Sequence, residues 1–162
     1  MVFAKTSKAA SRLSEQVRCK MFEKKYLVIA DGEFKEKVGN FEDFLLKNQQ
    51  KNYSKVVKEG TKNAKLASLD FEVLKYDEDI NLSVVKVNLH TGRHHQIRVQ
   101  FANREHSIYG DQKYGTRGRG KQICLWAYEL KFLHPISKEK LCFKSIPKYE
   151  GSWKILENVN II

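Results

Sequence analysis

The stretch LHTGRHHQIRVQFANREHSIYGDQKYG, residues 89–115, holds four of the five histidines in the chain together with a dense set of arginines. Thr91 and Gly92 predict a turn, and residues 93–96 follow it as a run of side chains that can donate hydrogen bonds. Apolar side chains at helical spacing in residues 97–102 then predict a short helix. The pattern indicates a cationic, hydrogen-bonding surface at the start of a helix, which suits a polyanionic partner.

Two stretches of alternating sequence come before this turn. Residues 67–73 and residues 85–89 alternate apolar and polar side chains, which is typical of strands with one buried face. The polar segment at residues 77–81 lies between them. We therefore predict an antiparallel hairpin whose second strand leads directly into the turn at Thr91.

An inner strand is predicted at residues 25–30, because the side chains that follow Tyr26 are apolar on both faces. Asp31 and Gly32 end this strand in a turn. Before it, Thr6 or Ser7 caps a predicted helix with an apolar stripe at three- and four-residue steps. The apolar positions are Ala10, Leu13, Val17 and Met21, and the positions predicted to face water are Lys8, Arg12 and Glu15.

The remaining segments are less regular. Residues 33–66 are rich in lysine and asparagine, and predict a surface subregion with one helical turn at Phe41, Phe44 and Leu45. The loop at residues 110–121 contains four glycines, and its flexibility and charge predict that it lies outside the core. Two last strands are predicted at 123–132 and 141–143. This order of elements indicates one α+β domain over residues 1–162, with a mixed, largely antiparallel sheet and flanking helices.

The charge of the chain indicates the class of partner. Lysine and arginine number 30 against 19 aspartates and glutamates, which gives a net charge of +11. Such a positive field recruits phosphate-rich partners, and nucleic acid is the leading candidate. The alternative interpretation is that the excess lysine only keeps a small protein soluble.

Other classes of protein are disfavoured. The three cysteines Cys19, Cys124 and Cys142 form no CxxC pair, which argues against a disulfide framework and a zinc site and fits a reducing cytoplasm. No segment approaches the roughly 20 apolar residues that span a bilayer. His94 and His95 are adjacent and should diverge on a strand or helix, so a metal site, as in a histidine-dependent nuclease, is the weakest alternative.

Five segments of the chain, in their order and approximate spacing, resemble the RNA pseudouridine synthases of the RluA type. The resemblance covers nearly the whole chain, and the TGRxHQIR core is its most specific part. The segments are FAKTSKAASRL (residues 3–13), KKYLVIADG (24–32), LHTGRHHQIRVQFA (89–102), IYGDQKYG (108–115) and LxFLHP (130–135).

The resemblance implies that the chain isomerises uridine to pseudouridine in ribosomal or transfer RNA, without a cofactor. The target nucleotide must leave its stack, which requires a positive groove and a closed base pocket. The nucleophile of the family is an aspartate in an HRLD-like motif that precedes the FAKT segment, and FAKT begins here at Phe3. We therefore expect a truncated, inactive catalytic domain with an open sheet edge or apolar patch beside Tyr26 and Arg98. The alternative is a non-catalytic RNA-binding module on the same scaffold.

The resemblance also assigns roles to single residues. Tyr26 matches the tyrosine whose ring packs on the target uracil, although an amphipathic tyrosine of the core would show the same pattern. Arg98 matches the arginine that pairs with the catalytic aspartate. Because that partner is absent, we expect Arg98 to turn outward or to bind another carboxylate or an anion. Asp111 stands in a motif that the family uses structurally.

A second group of residues is predicted to contact RNA. Arg93, His95 and Gln96 match the polar core of TGRxHQIR, which shapes the pocket and approaches RNA. His94 occupies its variable position. The cations of the glycine-rich loop either clamp RNA phosphates or belong to a disordered surface loop. They are Arg117, Arg119 and Lys121. The sequence gives no signal for an oligomeric state.

Overall fold

The centre of the molecule is a seven-stranded sheet, seen in a computed structural model that describes residues 2–118 and 121–161. All of its neighbouring strands are antiparallel, in the spatial order β3-β2-β4-β5-β1-β6-β7. The strands are β1 (Glu23–Asp31), β2 (Val38–Asn48), β3 (Tyr53–Val57), β4 (Lys65–Asp77), β5 (Leu82–Leu89), β6 (Leu125–Leu133) and β7 (Lys140–Lys144). The helices are α1 (Ser7–Arg18), α2 (Gln96–Ala102) and a 3-10 helix at Gly151–Leu156. The predicted α+β class with a largely antiparallel sheet is confirmed.

β1 is the inner strand that its sequence predicts. It pairs with β5 on one side and with β6 on the other. Its apolar residues are fully buried, and they alternate between two core clusters on opposite faces of the sheet. Val28 and Ala30 pack in the cluster that includes Ile97 and Phe101 of α2, whereas Leu27 and Ile29 pack on the opposite face.

The hairpin predicted ahead of the functional stretch is also confirmed. β4 and β5 pair in antiparallel register, with Leu69 opposite Leu89 at the open end and Asp77 opposite Leu82 beside the turn. The register shifts once, between Val73 and Lys75. The last residue of β5 is Leu89, so the hairpin fixes where the turn at residues 90–93 begins.

The helical turn predicted within residues 33–66 is wrong, because this segment forms β2 and β3. Phe41 and Leu45 are both buried, and they are four residues apart. This spacing puts two side chains on one face of a helix, but it also puts them on one face of a strand. Pairing with β4, which places Phe41 opposite Leu69, decides in favour of the strand.

α1 begins as predicted, with the Thr6 hydroxyl accepting a hydrogen bond from the Ala9 amide at 3.2 Å. The one buried side chain of this helix is nevertheless polar. The buried Gln16 side chain donates to the Leu133 carbonyl and accepts from the Leu133 amide, each at 2.9 Å. Val17, in the predicted apolar stripe, is 55% exposed. No helix in the described part of the chain is long and apolar enough to cross a membrane.

Arg12 is a smaller correction to the predicted helix. It was expected to face water, but it is half-buried and donates to the Pro135 carbonyl at 3.1 Å. Together with Gln16, it anchors α1 to the end of β6. Hydrogen bonds to backbone groups therefore hold this helix where the hydrophobic pattern predicted apolar packing.

We expect Gln16→Leu to destabilise the protein by about 1–3 kcal/mol, because it leaves the amide and the carbonyl of Leu133 without partners. The measurement is the free energy of unfolding in urea. Ser14→Ala is the matched control, since Ser14 is exposed on the same helix and alanine favours helix formation. Equal stabilities of Gln16→Leu and wild type would show that the bridge contributes nothing.

Candidate active site

A buried glutamine shapes the turn after β5. The Gln96 side-chain oxygen accepts hydrogen bonds from the Thr91 hydroxyl at 2.7 Å and from the Arg93 amide at 3.0 Å. Its amide nitrogen donates to the Ser68 carbonyl on β4 at 3.1 Å. Gln96 is only 3% exposed, so the structure places this predicted RNA contact inside the turn, where it holds Arg93 at the surface.

Arg98 binds a carboxylate, which is one of the arrangements that the sequence analysis expected for it. Its Nε and Nη2 atoms donate to the two carboxylate oxygens of Asp111, at 2.7 and 2.5 Å. The Asp111 side chain is fully buried, and its Oδ1 atom also accepts from the amides of Lys113 and Tyr114. Burial alone would raise the pKa of Asp111, but these hydrogen bonds and the positive charge of Arg98 outweigh it and lower the pKa.

This pair corrects the prediction that residues 110–121 lie wholly outside the core. Gly110 and Asp111 are both buried. Gly110 has a φ of +79°, and a Cβ atom there would lie 2.4 Å from the Gln122 carbonyl oxygen, so only glycine fits. The first part of the loop is thus a fixed support for Arg98.

His95 lies against the free side of the Arg98 guanidinium. Its Nε2 atom is 3.4 Å from Nη1 of Arg98, and its Nδ1 atom is 3.0 Å from the Tyr114 hydroxyl. Burial, followed by the positive charge of Arg98, lowers the pKa of His95 to about 4. The imidazole is therefore neutral at physiological pH. It contacts the Arg98 guanidinium at Nη1, and Asp111 binds the same guanidinium at Nε and Nη2.

His94 and His95 do not diverge as predicted. His95 has a left-handed backbone with a φ of 55°, which is neither strand nor helix, and the two ring centroids are 3.8 Å apart. His94 bonds to two residues near the β2–β3 turn, Ser54 at 2.9 Å and Asn52 at 2.8 Å. Within residues 2–118 and 121–161, no three His, Cys, Asp or Glu side chains converge as a metal site would require.

Tyr114 is a residue of this site that the sequence analysis did not single out. Its hydroxyl accepts a hydrogen bond from the Ser54 amide of β3 at 2.8 Å and contacts His95, and its ring lies 5.1 Å from the Arg98 guanidinium carbon. The IYGDQKYG motif contained the signal, because it places a tyrosine three residues after Asp111. Tyr114 links the β2–β3 hairpin to the arginine.

Tyr26 lies on the same face of the sheet as α2. It is half-buried in β1 against the core cluster that contains Ile97, and burial raises the pKa of its hydroxyl. β1 is paired on both sides, so the open sheet edge expected beside Tyr26 is not there. Tyr26 instead borders a hollow of about 570 Å³ whose walls include Phe132 and Phe143.

Of the cations predicted in the glycine-rich loop, Arg117 contacts the β4–β5 turn and not the site at Arg98. Arg117 donates to two carbonyl oxygens in the turn between β4 and β5, at 2.9 and 3.0 Å, and pairs with Asp31 at 3.3 Å. Its guanidinium therefore supports the hairpin rather than standing free as a phosphate clamp. Lys121 is exposed, and Arg119 lies outside the described residues.

Asp111→Asn is expected to lower the free energy of unfolding at neutral pH by about 3 kcal/mol, because it removes one partner of a buried ion pair and Arg98 retains some exposure. Folding lowers the pKa of Asp111, so its contribution is present above the ordinary carboxylate pKa and is lost as pH falls through the lower folded value. The difference in the free energy of unfolding between Asp111→Asn and wild type, measured in urea, should therefore become smaller below about pH 4.

Glu72→Gln is the control for this experiment, because it neutralises a carboxylate that is 53% exposed and paired with Lys86, and it should cost less than about 1 kcal/mol. A gap between Asp111→Asn and wild type that stayed constant from neutral to acid pH would contradict the assigned ion pair.

We expect the ring protons of His95 to titrate with a midpoint at about pH 4 in NMR spectra. The unfolded chain takes up this proton at about pH 6.5, so the contribution of His95 to stability is lost as pH falls from there to about 4. His95→Asn, which tolerates the left-handed backbone, should weaken the pH dependence of unfolding in this window. A midpoint near the ordinary value would show that the imidazole is not confined as the structure has it.

Known proteins are similar in sequence to this chain over most of its length. The chain is 34% identical over 156 residues to a protein of Aquifex aeolicus named an uncharacterized RNA pseudouridine synthase, covering 89% of this chain and 48% of the relative. It is 31% identical over 153 residues to the ribosomal large subunit pseudouridine synthase C of Haemophilus influenzae, covering 90% of this chain and 47% of the relative. The chain thus spans about half the length of these curated relatives.

The fold is shared with a solved structure. Human RNA pseudouridylate synthase domain containing 1 superposes with a TM-score of 0.76 at 23% identity, over 93% of this chain and 64% of that one. Residues 1–103 match the family model of RNA pseudouridylate synthases. This match includes β1 with Tyr26 and the whole of α2 with Arg98. The chain therefore belongs to the RNA pseudouridylate synthase family.

Proposed function

We propose that the chain forms the part of an RNA pseudouridine synthase that binds ribosomal or transfer RNA and receives the target uridine. The observation that carries the proposal is the fixed guanidinium of Arg98. Asp111 holds two of its nitrogens and His95 contacts the third, so the cation is oriented before any substrate arrives. A preorganised donor of this kind stabilises negative charge without reorganising during the reaction.

Tyr26 is the second proposed contact with the target base. It shares a face of the sheet with α2 and is half-buried, so part of its ring is free to pack against a uracil. In this proposal Arg98 and Tyr26 are the catalytic residues of the chain. Arg93 contacts the RNA, and His95 and Gln96 hold the pocket in shape around it.

We propose that this polypeptide does not by itself isomerise uridine. The reaction of the family needs a nucleophilic carboxylate, and residues 1–162 contain no HRLD-like motif. Asp111 is the carboxylate that binds Arg98, but it is 2% exposed and both of its oxygens accept hydrogen bonds. A nucleotide bound beside Arg98 would not reach it.

The second candidate is a non-catalytic RNA-binding module, which the same engagement of Asp111 favours. The nucleotide sequence upstream of the first codon distinguishes the two candidates. An in-frame HRLD-type segment supports the synthase, and an unrelated sequence supports the binding module.

Neither candidate requires a cofactor, and the three free cysteines suit a reducing cytoplasm.

We expect the chain to bind uridine-containing RNA with an affinity that falls steeply between about 50 and about 200 mM salt, because phosphate contacts release counterions. Fluorescence anisotropy measures this dependence. Flat affinity across that range would contradict both candidates.

The chain should also release no tritium from RNA that carries [5-³H]uridine, and release by this polypeptide would contradict the proposed inactivity.

A further inference from the structure

Two cationic hollows lie on either side of the turn that leads into α2. One has a volume of about 690 Å³ and lies towards the β2–β3 hairpin, and the other has about 280 Å³ and lies towards the end of α1. Gly92 and Arg93 are in the walls of both. The other cationic side chains of the first hollow are Lys47 and Lys65, and those of the second are Arg18, Lys20 and Lys24.

Neither hollow contains an aspartate or a glutamate in its wall. This separates them from a third hollow, of about 660 Å³, in which Asp77, Asp79 and Glu157 stand among the cations. Lys20, Lys24, Lys47 and Lys65 have no hydrogen bond or ion pair from their side chains within the described ranges. Their charge is therefore available to a ligand, whereas Arg18 is paired with Glu15.

Arg93 joins the two hollows. Its Nε atom donates to the Leu66 carbonyl at 2.8 Å, which fixes the guanidinium at the border. Its two terminal nitrogens have no partner in the part of the chain that the structure describes. Such a guanidinium presents a planar fork that matches a phosphate.

No side chain of residue 92 separates the two hollows. Gly92 has no side chain, and a Cβ atom there would lie 3.5 Å from the Nζ atom of Lys24. The ammonium group of Lys24, in the wall of the second hollow, thus lies close to the turn at Gly92. A chain of phosphates meets no bulky side chain at Gly92 as it passes from one hollow to the other.

We infer that the backbone of an RNA segment crosses both hollows, with its phosphates on Lys47, Lys65, Arg93, Lys24 and Lys20. This inference rests on the proposed function, and it adds the path of the strand outside the site at Arg98. A positive groove without acidic residues follows a backbone independently of base sequence. The segment is therefore bound by charge, and the choice of uridine is made elsewhere.

The test compares two quadruple variants with the same loss of charge. The first is K20Q/K24Q/K47Q/K65Q, and its control, K138Q/K140Q/K148Q/K154Q, changes four exposed lysines that line neither hollow. Binding of a fluorescent single-stranded RNA is measured over a salt series. The slope of log affinity against log salt should fall by about 3 in the first variant, because each single-strand phosphate contact contributes about 0.7, and should change little in the control.

Acetylation footprinting of the wild-type protein makes the test independent of the folding of the variants. Bound RNA should protect Lys20, Lys24, Lys47 and Lys65 more than the four control lysines. Suppose that the wild type binds RNA, that the salt slope falls equally in the two quadruple variants, and that RNA protects all eight lysines equally. The path is then wrong and the proposed function stands. If the wild type binds no RNA, the proposed function fails and the inference fails with it.

Discussion

The ion pair between Arg98 and Asp111 is the constraint on which the site depends. A carboxylate removed from water loses several kcal/mol of solvation, and only well-placed charges and hydrogen bonds compensate for that loss. Asp111 has both, from the Arg98 guanidinium and from two backbone amides. Any movement of α2 relative to this loop would leave a buried charge without a partner. The pair therefore fixes α2 in a single position.

The loop that carries Asp111 is in turn fixed to the central strand. The Tyr109 amide donates to the Ile29 carbonyl, and the Asp31 amide donates to the Ser107 carbonyl, each at 2.9 Å. Residues 27–30 of β1 are completely buried, so the support for Arg98 extends from the core of the sheet. The position of Arg98 relative to Tyr26, which lies on β1 itself, follows from these contacts.

The hydrogen-bond pattern also assigns the tautomer of His95. Arginine can only donate, so Nε2 of His95 accepts from Arg98 and Nδ1 carries the hydrogen. That hydrogen points to the Tyr114 oxygen, which also accepts from the Ser54 amide. A continuous set of contacts thus runs from the β2–β3 hairpin to Arg98. The hairpin that the sequence analysis interpreted as an irregular surface region belongs to the site.

The sequence by itself determined the elements whose signals are local. The alternation in residues 67–73 and 85–89, the apolar run after Tyr26 and the TGRxHQIR motif located two strands of the hairpin, the inner strand and α2. Only the tertiary structure decided what Phe41, Gln16 and Asp111 do. A spacing of four residues fits a helix and a strand alike, so pairing with β4 was needed to place Phe41. Gln16 and Asp111 are polar residues whose burial depends on Leu133 and Arg98, partners that are distant in sequence and that only folding brings within hydrogen-bonding distance.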